Sequence, residues 1–204
     1  TDIIARQDLP AGTFNLVMGS GSAVGQALVE APGVDAVTFT GSLEVGRGVA
    51  VSAARNLTKV QLEMGSKNAL VVMDDADLDV AVACAVAGGY SGTGQKCTAS
   101  SRLVVHRSVH DAFVEKLTGA LTAMKVGHAL EDGVTMGPVA SQAQLASNLA
   151  YIDLARQEGC DIACGGERLQ RPTEGYFMSP TLLTGSTNAM RINREEIFGP
   201  IAAV

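Results

Sequence analysis

The sequence predicts an α/β protein: parallel-sheet layers with flanking helices. Three observations carry that expectation. Short strand-like apolar runs alternate with helical patterns along the 204 residues; this alternation is the rhythm of βαβ units. With 4% aromatic residues and no Trp, the core must be built from Ala, Val and Leu, which suits α/β layers better than an aromatic-rich sandwich. Two of the strand-like runs also lead through glycine into helical patterns, at Gly19-Ser20-Gly21 and at Gly41-Ser42.

The elements follow in order. Phe14 to Met18 reads as a strand, Ser22 to Glu30 as a helix and Asp35 to Thr40 as the next strand. A helix opening at Ser42 carries Val45, Val49 and Ala53 on one face, spaced i, i+4, i+8, and Lys59 to Met64 is extended. The rhythm restarts with a strand at Leu70 to Met73 and an Ala-rich helix from Asp77 to Tyr90, whose start is favoured by Asp74, Asp75 and Asp77. Arg102 to His106 is a buried-strand candidate, and Ser108 caps a helix bearing Phe113, Leu117 and Leu121. Residues 125–140 form a Gly- and Pro-punctuated loop, Ser141 to Glu158 a helix, and Tyr176 to Leu183 an extended segment. A domain junction falls near Glu63 to Ser66, and junctions are where pockets form.

Composition narrows the function. The 47% hydrophobic and 18% charged content belongs to a globular chain that buries a core, not to a disordered one. Net charge is −6, with no basic run interleaved with aromatics, so nucleic acid is a poor partner. The apolar runs fall far short of the roughly 18 residues a membrane span needs, so no membrane partner is expected. Cys84, Cys97, Cys160 and Cys164 are too few for a disulfide scaffold, which favours a reducing cytoplasm. His106, His110 and His128 show no metal-ligand spacing with them, and no metal is expected. The chain starts at Thr1 and stops inside the apolar run Ile201 to Val204, as a piece of something longer would.

Four segments hold residues suited to chemistry. Gly41-Ser42-Leu43-Glu44-Val45-Gly46 joins a strand to a helix, where free N–H groups attract phosphate, though simple capping gives the same pattern. Its spacing is neither the dinucleotide fingerprint nor a P-loop. Cys97, after a Gly-rich turn and beside Lys96, is a packing thiol or a nucleophile. Glu63 closes the strand Val60-Gln61-Leu62; there it is salt-bridged or, if buried, raised toward the range of a useful base. Glu195 and Glu196 precede Ile197-Phe198-Gly199-Pro200, an aromatic and a Gly-Pro turn, and read on their own as a solvated face, the usual fate of paired charges.

Together, Phe39-Thr40-Gly41-Ser42 with Gly46, Leu62-Glu63-Met64-Gly65, Gly94-Gln95-Lys96-Cys97 and Glu195 to Pro200 resemble four ordered signatures of the aldehyde dehydrogenase superfamily. The resemblance covers essentially the whole chain, from Leu9-Pro10-Ala11-Gly12 onward. It implies that residues 1–62 are the C-terminal part of a dinucleotide-binding domain and 63–204 most of the catalytic domain. Cys97 then attacks a small aldehyde, giving a thiohemiacetal and, after hydride transfer, a thioester; Glu63 is the base that activates the hydrolytic water. The resemblance further implies NAD or NADP as cofactor, held by Gly41, Ser42, Leu43, Glu44, Val45 and Gly46 near the pyrophosphate, with Met64 alongside. Glu196 would take the nicotinamide ribose hydroxyls, Phe198 line the nicotinamide pocket, and the Cys97 N–H give one oxyanion donor.

On this reading the Cys97 thiol and the Glu63 carboxylate meet in one cleft, and the parent protein is a homodimer or homotetramer. Met64, Ser66 and Ala69 depart from the commoner Leu, Gly and Pro, and the flavour is similar to bacterial 2-oxoglutarate or succinate semialdehyde dehydrogenases. An acidic substrate would want a cation, and the sequence does not decide between Lys96 and Arg102. The family's N-terminal oxyanion Asn and adenosine-binding Lys have no match here, so the isolated chain is expected to be inactive. The alternatives are a catalytically inactive fragment or a structural or binding protein of the same fold, and a CoA-acylating relative, which Glu63 argues against because a water-activating base serves hydrolysis.

Overall fold

The computed structural model describes residues 2–204. Contacts divide the chain into two compact units, one ending at Met64 and one spanning Gly65–Val204.

The first unit holds a short helix α1 (Asp2–Ala5), a π-helical turn (Gly21–Gly25) running into α2 (Gln26–Glu30), strand β1 (Ala36–Gly41), helix α3 (Leu43–Arg55) and strand β2 (Lys59–Met64). β1 and β2 pair in parallel across α3, with Thr40 opposite Glu63 and Gly41 opposite Met64. Ser42 caps α3, its hydroxyl accepting from the Val45 N–H at 3.4 Å. The buried face of α3 is Gly46, Val49 and Ala53. Val45 instead faces solvent: glycine, which lets the helix approach Met64 closely, takes the inward position one residue later. Phe14 to Met18 does not form the expected strand. Its apolar side chains are exposed, and among the described residues no neighbouring strand takes its N–H and C=O groups, without which extended backbone is not held as sheet.

The second unit contains β3 (Asn68–Val72), α4 (Leu78–Gly89), β4 (Ser100–Val105), α5 (His110–Thr122), α6 (Gln142–Gln157), β5 (Asp161–Cys164), β6 (Thr181–Thr184) and β7 (Ile201–Ala203). The sheet order is β3-β4-β7-β6-β5, parallel throughout except for the antiparallel edge strand β5. Period-2 alternation splits the two central strands between two cores. Leu182 and Ala202 point into one cluster with Val82 and Ala85 of α4 and Phe113, Leu117 and Leu121 of α5. Leu183, Ile201 and Ala203 point into the other with Leu145, Ile152 and Ala155 of α6. Helices thus cover both sheet faces, as a largely parallel sheet requires.

Helix starts follow the sequence closely. Asp77 accepts from the Asp79 and Val80 N–H groups at 2.9 and 3.2 Å, and Ser141 from the Gln144 N–H at 3.1 Å. Ser108 does not cap α5; it lies in a 3₁₀ turn (Arg107–Val109), where its own N–H donates to the His106 ring. The expected extended segment Tyr176 to Leu183 is regular only from Thr181, preceded by single bridges of Tyr176 to Val139 and Met178 to Arg168.

Candidate active site

In the first unit the expected phosphate turn and the expected base share one edge. Parallel pairing puts Glu63 and Met64 level with Thr40 and Gly41, at the carboxyl ends of both strands, where α/β sheets place ligands. The turn Gly41 to Gly46 is built by close approach: a Cβ at Gly41 would overlap the Phe39 ring, and one at Gly46 the Met64 sulfur. As first-turn residues of α3, Leu43 and Glu44 keep backbone N–H groups with no intrahelical acceptor, a standing attraction for an anion. Glu63 is exposed, not buried, and among the described residues it forms no ion pair. Strand alternation turns Leu62 and Met64 inward and leaves the carboxylate hydrated.

In the second unit Cys97 lies in a turn between a 3₁₀ segment (Ser91–Gly94) and β4, and it is exposed. Asn68 Nδ2 donates to the carbonyls of Cys97 at 2.7 Å and Ala99 at 3.3 Å, and the Ala99 N–H donates to Lys96 O at 3.0 Å. Gln95 Oε1 accepts from the Ala140 N–H at 3.0 Å, and Lys96 Nζ donates to Ser91 Oγ at 2.8 Å. Among the described residues the Cys97 N–H donates to no backbone acceptor. Gly94 has a φ of 65° and sits so close to the Gly199 carbonyl that a Cβ would collide with it; only glycine meets both demands. The thiol turn and the Phe198-Gly199 turn are therefore packed directly together.

The two adjacent glutamates do different things. Glu195 accepts from Arg191 at 2.7 Å and from the Tyr151 hydroxyl at 2.9 Å, and the guanidinium holds its carboxyl below the ordinary value. Glu196 folds back on Gly65 so tightly that a Cβ there would overlap its carboxylate. Burial pushes the Glu196 carboxyl up, opposed by the Ser66 backbone N–H and the Lys67 charge. Phe198, at a φ of 57°, holds its ring partly exposed, and Gln144 of α6 donates to the preceding Ile197 carbonyl at 3.1 Å.

Known proteins decide the family. All 204 residues match the model of the aldehyde dehydrogenase family. The chain belongs to that family. It is 46% identical over 198 residues to the alpha-ketoglutaric semialdehyde dehydrogenase of Bacillus subtilis, covering 96% of this chain and 41% of the relative. It is 42% identical over 205 residues to the 2,5-dioxopentanoate dehydrogenase of Saccharolobus solfataricus, covering 100% and 42%. A crystal structure of betaine aldehyde dehydrogenase from Staphylococcus aureus in complex with NAD+ superposes with a TM-score of 0.93 at 40% identity, covering 96% of this chain and 39% of that one. The chain thus spans about two-fifths of the length of the curated relatives it matches.

The aldehyde dehydrogenase signatures accordingly divide between the two units. Gly41 to Gly46, Glu63 and Met64 lie in the first, and Cys97, Glu196 and Phe198 in the second. Of the other thiols, burial raises Cys160 and Cys164 and makes them poorer nucleophiles, while Cys84 sits exposed on regular helix α4. Sequence reading missed Asn68, which sets the Cys97 turn, and Lys67, whose Nζ is buried. Both follow closely on the signature that carries Glu63, and a polar pair leading into the otherwise apolar strand β3 was the available signal. Of the two cations considered for an acidic substrate, Lys96 is engaged by Ser91 and Arg102 lies on β4 with its Nε buried. Among the described residues no cluster of three or more His, Cys, Asp or Glu could hold a metal, and no helix is long and apolar enough to cross a membrane.

Proposed function

We infer that this chain carries the cofactor turn and the nucleophile of an NAD(P)-dependent aldehyde dehydrogenase that oxidises a small semialdehyde to its acid. The observation that carries the reading is the Cys97 turn: an exposed thiol whose N–H has no backbone acceptor among the described residues, on a loop clamped to Gly199 and to Asn68. The residues present suit the cofactor. The start of α3 offers free N–H groups for a pyrophosphate, and Glu196 is a carboxylate set by a glycine cradle to accept ribose hydroxyls.

Bound NAD or NADP would supply the hydride acceptor. Cys97 Sγ, as thiolate, forms a bond to the aldehyde carbon while the Cys97 N–H steadies the oxygen that gains charge. Departure of the hydride with its electron pair leaves a thioester on Cys97. Glu63 takes a proton from water, whose oxygen bonds to the thioester carbon, and the C–S bond breaks to release the acid and restore the thiolate. An exposed, hydrated carboxylate suits a residue that must meet water and return its proton to solvent. The first relatives named above are semialdehyde dehydrogenases, which supports that substrate class, and the Staphylococcus aureus neighbours bound to NAD+ support the cofactor. One of them also carries a BME-modified cysteine, in keeping with a reactive thiol in this family.

In the full-length protein, Cys97→Ala should abolish nicotinamide-dependent semialdehyde oxidation. Glu63→Ala should leave the burst of reduced cofactor and trap an acyl adduct on Cys97, visible by intact mass. Wild-type turnover in either variant rejects the reading.

A further inference from the structure

Lys67 is a half-buried side chain beside the site to which the reaction gives no task. Its Nζ is buried and, among the described residues, has no hydrogen-bond partner. An ammonium taken from water without such partners is costly, so a structural lysine would ordinarily reach solvent or an ion-pair contact. Lys67 follows the Gly65-Ser66 cradle that seats the Glu196 carboxylate, and it precedes Asn68, which pins the Cys97 carbonyl. One three-residue step, 66–68, therefore reaches the ribose-holding carboxylate, a buried cation and the thiol turn.

We propose that Lys67 is a positioning residue for Glu196, its buried ammonium acting as the fixed counter-charge that keeps this carboxylate ionised and seated to accept ribose hydroxyls. The inference rests on the reading of Glu196 given above. Among the described residues the charges acting on Lys67 are Glu196, from the loop after Arg194, and Arg102, from β4, whose residue 102 pairs with Ala69 of β3; Glu196 acts through space, with no direct ion pair to Lys67. Burial lowers Lys67 to about 8, Glu196 pulls it up and Arg102 presses it down. Lys67 is thus charged at neutral pH, while burial works to neutralise Glu196 and the Lys67 charge works to keep it ionised. Without the cation, protonated Glu196 would appear at higher pH, with one oxygen turned into a donor and fewer sites left to accept ribose hydroxyls.

The test measures binding of NADH, or of NADPH if the wild type prefers it, to the full-length protein by nicotinamide fluorescence between about pH 5 and about pH 9. Glu196→Gln should weaken binding across that range; if it binds like wild type, the reading of Glu196 fails and this inference with it. Given that loss, Lys67→Met should match wild type near the alkaline end, where Lys67 is neutral anyway, and bind about three- to tenfold more weakly near the acid end. Lys67→Arg should restore the acid limb. Superimposable profiles for wild type and Lys67→Met would overturn the proposal while leaving Glu196 its role. Should Lys67→Met not fold, trace acetylation of Lys67, followed by peptide mass against pH, gives the same answer from the other partner. Its midpoint should fall in Glu196→Gln, because the coupling is reciprocal, and an unchanged midpoint refutes it.

Discussion

The side-chain amide of Asn68 donates to the carbonyl of Cys97 at 2.7 Å, tying the first residue of β3 to the turn that presents the thiol. The same amide reaches Ala99 O at 3.3 Å, so a single side chain holds both ends of a three-residue arc. Asn68→Ala should leave the fold intact, at a cost of about 1 kcal/mol, yet lower kcat by about ten- to a hundredfold as the nucleophile drifts. Steady-state kinetics beside thermal unfolding of the full-length protein would separate the two effects. A stability loss with unchanged kcat would show that the arc holds its shape without Asn68.

Gly65→Ala places a methyl group where the Glu196 carboxylate now rests. Glu196 must then leave its cradle, and cofactor affinity should fall by about tenfold or more while the Cys97 turn, braced by Asn68 and Gly199, keeps its reactivity. Cofactor titration paired with the rate of Cys97 alkylation by iodoacetamide checks both halves. Parallel losses would mean that the change spreads through the whole loop cluster.

Glu195 and Glu196 should shift acid stability in opposite directions. Arg191 holds the Glu195 carboxyl below 4.5, so its contribution is present above that value and lost as pH falls through the lower folded one. Burial holds Glu196 above 4.5, so its ionised form weighs against the fold at neutral pH and is relieved as pH falls through the raised value. Denaturation midpoints between about pH 3 and pH 8 should therefore show Glu195→Gln less stable than wild type near neutrality, the gap closing in acid, and Glu196→Gln slightly more stable there. Solvent screening keeps the Glu195 effect small, because Arg191 is exposed and Glu195 only half-buried. Shifts of the same sign would contradict the division of roles between the neighbours.

How much of this was legible in the sequence depended on range. Local signals were enough for α6, expected over 141–158 and found at Gln142–Gln157, because the serine cap at 141 and the apolar residues Leu145, Leu149 and Ile152, spaced i, i+4, i+7, are all local to the helix. The strand Lys59–Met64 likewise follows from its own residues. Phe14 to Met18 has the same local signal, but a strand also needs a partner, and sequence pattern says nothing of partners. The exposure of Glu63 and the antiparallel edge strand β5 escaped for the same reason. Cys97 could be singled out by its family signature, whereas the role of Asn68 depends on a turn 29 residues away and that of Lys67 on a carboxylate beyond residue 190.

Tyr90 offers the cleanest separation of support from chemistry. Fully buried at the C-terminal cap of α4, it donates from its hydroxyl to the Thr181 carbonyl at 2.9 Å, joining the helix to a central strand. Burial pushes this hydroxyl far above the ordinary tyrosine range, so it stays a neutral donor at any pH the protein meets. Tyr90→Phe keeps the ring and its packing, removes the donor and leaves the Thr181 oxygen short of a partner, at a cost of about 1–2 kcal/mol. Because the next residue begins the 3₁₀ segment that leads to Cys97, the substitution also asks whether the hydroxyl steers the thiol. The turn has its own restraints in Asn68, Gln95 and Gly199, so kcat measured well below the unfolding temperature should stay within about twofold of wild type. A collapse of kcat with unchanged stability would mean that the thiol turn is held from the helix side, against the arrangement found here.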